Sequence, residues 1–293
     1  MTTAFVLSGG GSLGAVQVGM LRALTDRDIV PDLLIGTSAG ALNAAFVAGY
    51  GTGHDALNAL EARWIATRRS DVFPLGPRQA LRVARGADPA LCSPRGLSRL
   101  IASNLIYEQF DQTQIPLHVI ATDLLSGREV VLSTGDVASA ILASASIPGL
   151  LPPVLRDGLT LVDGGLADNA AISVAAELGA DRVYVLPTGY SCALQQAPTS
   201  ALGVAMQSLG FLLQQRLLTD ISAFGDRVEL HVLPPPCPMA VSSIDFNHAR
   251  ELIDSAHAVS SAWFDGGGLT AADPLHELTL HQHRVGASPE RRR

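Results

Sequence analysis

Leu33-Leu34-Ile35-Gly36-Thr37-Ser38-Ala39-Gly40 decides the fold. Three large aliphatic residues in an unbroken run mark a strand buried on both faces, and Gly36 stops it abruptly. The alanine-rich stretch Ala39 to Ala48 follows at once and reads as a helix, so strand and helix meet without an intervening loop. Upstream, Thr3 to Ser8 is a second β-prone apolar run, and Gly9-Gly10-Gly11-Ser12-Leu13-Gly14 turns it into a helix over about Ala15 to Asp26. Two strand-to-helix units at the start of the chain imply a parallel sheet covered by helices.

The remaining segments extend that plan. From His54 to about Gln109 the pattern is helical but broken at Pro74, Gly76, Pro77, Gly86, Pro89 and Pro94, which marks a helical insertion over about 54–110. Strands resume at Leu117 to Thr122 and Glu129 to Ser133, and a helix covers Ala138 to Ala145. Strand Leu159 to Val162, helix Ile172 to Leu178 and strand Arg182 to Leu186 read as a further βαβ passage. Leu202, Met206, Leu209, Leu213 and Leu217 recur at helical spacing within Ser200 to Leu218, the pattern of a core-packing amphipathic helix. A strand over Val228 to Leu233 and a long helix over Phe246 to Phe264 close the domain. The expected fold is therefore α/β, a three-layer α/β/α sandwich with a mainly parallel central sheet over residues 1–265. Residues 266–293 open on three glycines, end on Arg291-Arg292-Arg293, and read as a mobile, solvated tail.

Composition narrows the function. The 293 residues are 47% hydrophobic and 16% charged, which excludes intrinsic disorder. A net charge of −7 argues against a nucleic-acid partner, because phosphate binding needs clustered positive charge. All 20 basic residues are arginine, so a P-loop lysine, a Schiff-base lysine and a Ser-Lys dyad are excluded. Cys92, Cys192 and Cys237 form no CxxC pair and read as reduced structural thiols, without a disulfide framework or a zinc site. Met1 to Leu21 lacks the basic start of a secretory signal, and the uncharged stretch Leu33 to Gly53 is too rich in Gly, Ser, Thr and Asn for a lipid-facing helix. These features place the chain in the cytoplasm, with peripheral contact at membranes left open and the oligomeric state unspecified.

Gly36-Thr37-Ser38-Ala39-Gly40 is a G-x-S-x-G at a strand-to-helix junction, the context of a nucleophile elbow. Gly36 and Gly40 remove Cβ atoms that would collide across the turn, and Ser38 is expected in a strained conformation at a helix N-terminus. The competing reading is a small-residue turn with Ser38 as an ordinary helix cap. The upstream glycine loop also fits G-x-G-x-x-G, but a dinucleotide site requires an acidic residue at the end of the second strand. Asp32 lies before that strand, so this reading fails. The same loop suits an oxyanion hole, with the backbone N–H groups of Gly9, Gly10, Gly11 and Ser12 turned toward Ser38.

A seryl hydroxyl needs a base. His231, His248 and His257 could formally complete a triad, but none sits in a recognisable loop, and all eight histidines read as structural or solvated. Asp163 is the stronger candidate: it ends an apolar strand and precedes Gly164-Gly165, which allow close backbone approach. General-base work near neutrality requires its pKa to be raised by desolvation. The plain alternative is that Asp163 opens a turn.

Taken together, the glycine loop, the elbow and Asp163-Gly164-Gly165, with Ala121-Thr122-Asp123-Leu124, Ala143-Ser144-Ala145-Ser146-Ile147-Pro148 and Leu151-Pro152-Pro153-Val154 between them, resemble the patatin-like phospholipases. The resemblance covers residues 4–190 and extends loosely to Phe264. It implies a lipid acyl hydrolase with a Ser38–Asp163 dyad, no cofactor or metal, and a lipid or acyl-ester substrate, phospholipid or lysophospholipid. The acyl pocket is expected between the insertion and the Ser200 to Leu218 helix. Asn169-Ala170-Ala171 stands where the family often has Asn-x-Pro, which loosens that loop. A catalytically silent protein holding an acyl chain or an anion on the same fold is the alternative.

Overall fold

The computed structural model describes residues 1–74, 76, 79, 83, 85, 89–224, 227–270, 278–281 and 283. Among these residues the strands are β1 (Thr3–Leu7), β2 (Leu33–Thr37), β3 (Leu117–Asp123), β4 (Glu129–Leu132), β5 (Val154–Arg156), β6 (Leu159–Asp163), β7 (Arg182–Leu186) and β8 (Glu229–Val232). They form one eight-stranded sheet in the order β5-β6-β3-β2-β1-β7-β8, with β4 pairing β3 off that path. The helices are α1 (Val16–Thr25), α2 (Ala39–Tyr50), α3 (His54–Ala66), α4 (Arg69–Val72), α5 (Arg95–Asn104), α6 (Val137–Ser144), α7 (Ile172–Glu177), α8 (Ala201–Phe224) and α9 (Ala249–Asp265).

Side-chain alternation along the central strands builds two cores. Phe5 and Leu7 of β1, with Tyr184 and Leu186 of β7, face a helical layer that includes α1, α2 and α9. Ala4 and Val6, with Val183 and Val185, face α7 and α8 on the opposite side. Every residue of β2 is buried, which is why its sequence reads as a continuous apolar run rather than an alternating one. Helices thus cover both faces of the sheet, and the mixed α/β architecture expected from the sequence is the one observed. Strands β3, β2, β1, β7 and β8 run parallel to one another.

Two expectations are corrected. The passage from β6 to β7 is not a βαβ unit, because β6 runs antiparallel to β3 and lies across the sheet from β7. Its direction is set by a hairpin with β5, closed by Asp157 (φ 51°) and Gly158 (φ 79°), left-handed conformations that an Asp-Gly turn supplies. The asparagine-to-alanine segment after β6 is not loose: Asp168 Oδ1 accepts from the Ala170 and Ala171 N–H groups at 3.1 and 2.7 Å, and both alanines are fully buried. Beyond α9, residues 279–281 and 283 are exposed, while residue 278 meets the domain. Leu278 is buried and its carbonyl accepts from Gln214 Nε2 at 2.6 Å. Pro77, Gly86 and the Arg291-Arg292-Arg293 end lie outside the described residues. No helix among the described residues is long and apolar enough to cross a membrane.

Candidate active site

The elbow forms because β2 runs straight into α2. A Cβ on Gly36 would sit 2.6 Å from Ala41 Cα, and one on Gly40 would sit 2.1 Å from the Leu7 carbonyl oxygen, so only glycine permits this crossing. Ser38 between them adopts φ 53° and ψ −120°, a conformation side-chain-bearing residues rarely hold unless the surroundings impose it. Its N–H donates to the buried Ser144 Oγ of α6 at 2.8 Å, and its carbonyl accepts from the Ala41 and Leu42 N–H groups. Although Ser38 occupies the cap position of α2, its hydroxyl makes no capping hydrogen bond. The hydroxyl donates instead to Asp163 Oδ2 at 2.7 Å.

Sheet register brings these two residues together. Thr37 stands opposite Ile120 of β3, and Asp163 stands opposite the next residue, Ala121, on the other side of that strand. The Asp163 backbone is held at both ends: its N–H donates to the Ser146 carbonyl at 2.9 Å, and its carbonyl accepts from Thr122 Oγ1 at 2.9 Å. Gly165 N–H donates to Oδ1 at 2.9 Å, leaving Oδ2 for Ser38. The carboxylate thus opens a turn and faces the serine at once. Desolvation pushes the Asp163 carboxyl up to about 6, against the opposing pull of the hydrogen bonds from Ser38 and Gly165.

The glycine loop crosses above this pair. Gly9 N–H donates to Asn169 Oδ1 at 2.9 Å, and Ser12 N–H donates to the Ser243 carbonyl at 2.8 Å, so both groups are engaged within the protein. Gly10 and Gly11 donate to no acceptor among the described residues. Thr188 fixes the loop from β7, donating from Oγ1 to the Gly9 carbonyl at 2.7 Å. Beneath it runs a buried chain that apolar patterning does not reveal. Trp64 Nε1 donates to Asn43 Oδ1, Asn43 Nδ2 to Gln17 Oε1, and Gln17 Nε2 to the Ser8 and Leu186 carbonyls, all at 2.8–2.9 Å. Two polar residues on otherwise apolar helices, Gln17 and Asn43, are its signal in the sequence.

Two clefts meet at Ser38. One is walled by the insertion, with Leu60 and Trp64 of α3, Phe73 after α4, and Leu97 and Leu100 of α5. The other runs along α8, where Met206, Leu209, Leu213 and Leu217 turn their stripe toward Asp163 and the glycine loop. Arg63 also lines the first cleft, stacked 4.6 Å from the Phe46 ring, and its buried Nη1 has no hydrogen-bond partner among the described residues. The histidines considered as bases are occupied elsewhere. His231 pairs with Glu229 and stacks on Tyr184, His248 pairs with Asp245 and Glu251, and His257 pairs with Asp26. Among the described residues, the one cluster with metal-binding donors is Cys192, Cys237, His281 and His283.

The chain is 32% identical over 171 residues to an uncharacterized NTE family protein of Mycobacterium bovis, covering 58% of this chain and 27% of that one. It is 30% identical over 192 residues to patatin-like phospholipase domain-containing protein 7 of Mus musculus, covering 64% and 13%. With a lysophospholipase of Aspergillus terreus it shares 29% over 196 residues, 63% of this chain and 12% of that one. The chain therefore spans about a quarter or less of the length of these relatives. Among solved structures it is similar to human GIVD cytosolic phospholipase A2, at TM-score 0.48 and 11% identity over 92% of this chain and 60% of that one. VipD from Legionella pneumophila gives TM-score 0.46 and 16% identity over 89% and 67%. The sequence profile of patatin-like phospholipases matches residues 5–176, and on that match the chain belongs to the patatin-like phospholipase family.

Proposed function

We propose that the protein is a serine acyl hydrolase that cleaves carboxylic esters of lipids, with Ser38 as nucleophile and Asp163 as base. The observation that carries this reading is the 2.7 Å hydrogen bond from Ser38 Oγ to a desolvated Asp163 carboxylate at the meeting of two apolar clefts. A base with a pKa of about 6 is about nine-tenths ionised at pH 7, yet far more basic than an ordinary aspartate.

Ser38 Oγ attacks the ester carbonyl carbon while its proton passes to Asp163 Oδ2. The oxyanion so formed faces the Gly10 and Gly11 N–H groups and the N-terminus of α2; each backbone donor is worth roughly 2.7–4 kcal/mol in the transition state. Collapse breaks the carbon–oxygen bond to the alcohol, which takes the proton from Asp163. Water then gives a proton to Asp163 as its oxygen attacks the acyl carbon. The Ser38 oxygen leaves with that proton, and the carboxylic acid is released.

Apolar walls on both sides of Ser38 suit an acyl chain. Arg63, a cation lining the insertion cleft, favours a substrate that also carries an anionic group, hence a phospholipid or lysophospholipid. The names of the lysophospholipase and phospholipase relatives support the same class. Fatty-acid release from phosphatidylcholine and lysophosphatidylcholine tests the reading. Release by the native chain and none by Ser38→Ala is expected; equal release by both, or none by either across acyl esters, overturns it in favour of a silent binder.

A further inference from the structure

Four donors far apart in the chain converge on the outer wall of the α8 cleft. Cys192 follows Tyr190 and Ser191 in the loop after β7, Cys237 ends the Pro234-Pro235-Pro236 run, and His281 and His283 lie on the segment after α9. The two Sγ atoms are 3.8 Å apart, and Cys237 Sγ lies 3.0 Å from Nε2 of His281 and 3.0 Å from Nε2 of His283. All four donor atoms fall within 4.8 Å of one another. We propose that Cys192, Cys237, His281 and His283 form a tetrahedral Cys2His2 site for a zinc ion that clamps the C-terminal segment onto the cleft wall.

The spacing fits the ion. Thiolates about 2.3 Å from one zinc at the tetrahedral angle lie about 3.8 Å apart, and a thiolate and an imidazole nitrogen about 3.5 Å apart. The sulfurs already stand at that separation, and the imidazoles need to withdraw by only about half an ångström. A disulfide is a poorer description, since its sulfurs lie about 2.05 Å apart. Plain thiols are poorer too. Cys237 carries one proton, yet two ring nitrogens point at its sulfur. His281 Nδ1 lies 2.8 Å from the Thr279 carbonyl, an acceptor, so in the neutral ring Nδ1 bears the proton and Nε2 presents its lone pair to Cys237. A carbonyl behind the imidazole is the usual outer partner of a metal-bound histidine.

Backbone contacts hold the ligands in place. His283 N–H donates to the Cys192 carbonyl at 3.0 Å, and Met239 N–H donates to Cys192 Sγ at 3.3 Å. Tyr190 OH accepts from the His281 N–H at 2.6 Å and lies 2.9 Å from its carbonyl. Cys192 is buried while the other three are exposed, which leaves an entry path. Binding displaces one proton from each thiol and leaves both imidazoles neutral, so two protons are released for each zinc bound. Four protein ligands complete the shell with no open position, the arrangement of a structural site. Tyr190, Ser191 and Gln214 line the α8 cleft, so the clamp would set the shape of that wall. The inference holds whatever chemistry the cleft performs.

Metal content and cobalt spectra of the full chain test it. The chain is produced in zinc-supplemented medium, purified under a phosphine reductant, and assayed by mass spectrometry for zinc. It is then stripped and titrated with Co2+ alone. One zinc per chain is expected, with the intense visible bands and thiolate charge transfer of tetrahedral cobalt in the native protein. Zinc should be lost both from Cys237→Ser and from the exposed double variant His281→Ala/His283→Ala. A native chain that takes up no zinc, an octahedral cobalt spectrum, or a histidine double variant that keeps stoichiometric zinc would overturn the proposal.

Discussion

Asp163→Asn should stabilise the protein, and by an amount that depends on pH. Burial raises the Asp163 carboxyl from an ordinary 3.8 to about 6. A raised folded-state pKa means that the native state holds its proton more tightly than the unfolded chain does. The associated stability is fully present below about pH 4 and is lost as pH rises through about 6. At about 1.36 kcal/mol per unit, the ionised carboxylate costs about 1.6 kcal/mol at pH 5 and about 3 kcal/mol at pH 8. Asparagine has nearly the same shape, keeps an acceptor for the Gly165 N–H, and does not titrate. Contacts altered by the substitution itself contribute equally at both pH values, so the difference between them isolates the carboxylate. Urea unfolding of native and variant chains should show the advantage of the variant growing by about 1.4 kcal/mol from pH 5 to pH 8, with unchanged m-values. An advantage constant to within about 0.5 kcal/mol would show that Asp163 titrates as an ordinary aspartate, and the general-base argument would lose its physical basis.

Ester turnover should follow the same group from the other side: kcat/KM rises with pH to a plateau, with an inflection near 6, and falls about tenfold per unit below it. A profile flat from pH 5 to 8 contradicts the assignment of Asp163 as base. Ser144→Ala removes the acceptor of the Ser38 N–H and leaves a buried donor unpaired, which should cost about 1–3 kcal/mol in unfolding experiments and lower kcat. Unchanged stability and kcat would mean that the elbow does not depend on this contact. Arg63→Met should raise KM for a phospholipid by about tenfold or more while sparing a neutral acyl ester of the same chain length, as loss of a charge-assisted contact requires. Equal effects on both substrates would remove Arg63 from headgroup recognition.

Local signals carried much of this structure. The run Leu33 to Ile35, the glycines of the elbow and Asp163-Gly164-Gly165 could be placed because each encodes a short-range demand: two-sided burial, close approach of backbones, a turn after a strand. Strand direction has no such local signature. β5 is three residues long with Leu155 77% exposed, so neither length nor alternation marks it, and the reversal of β6 follows from that hairpin. The Asp157-Gly158 pair was the available clue. The order of the loop after β6 was likewise hidden, because it comes from Asp168 accepting two N–H groups. Supports such as Ser144 under Ser38 and Asn169 under Gly9 span more than a hundred residues of chain and leave no spacing to read. Cys192, Cys237, His281 and His283 escape a search for paired cysteines for the same reason: their nearness is created by the loop after β7 and by the segment around the buried Leu278.

Covalent trapping of the nucleophile is the most direct test of the account. Native chain treated with an alkyl fluorophosphonate should gain a single adduct mapped to Ser38. Ser38→Ala should gain none, and Asp163→Asn should react at least about a hundredfold more slowly, the lower range for loss of a general base. An adduct elsewhere, or an Asp163→Asn rate equal to native, would contradict a serine activated by that carboxylate.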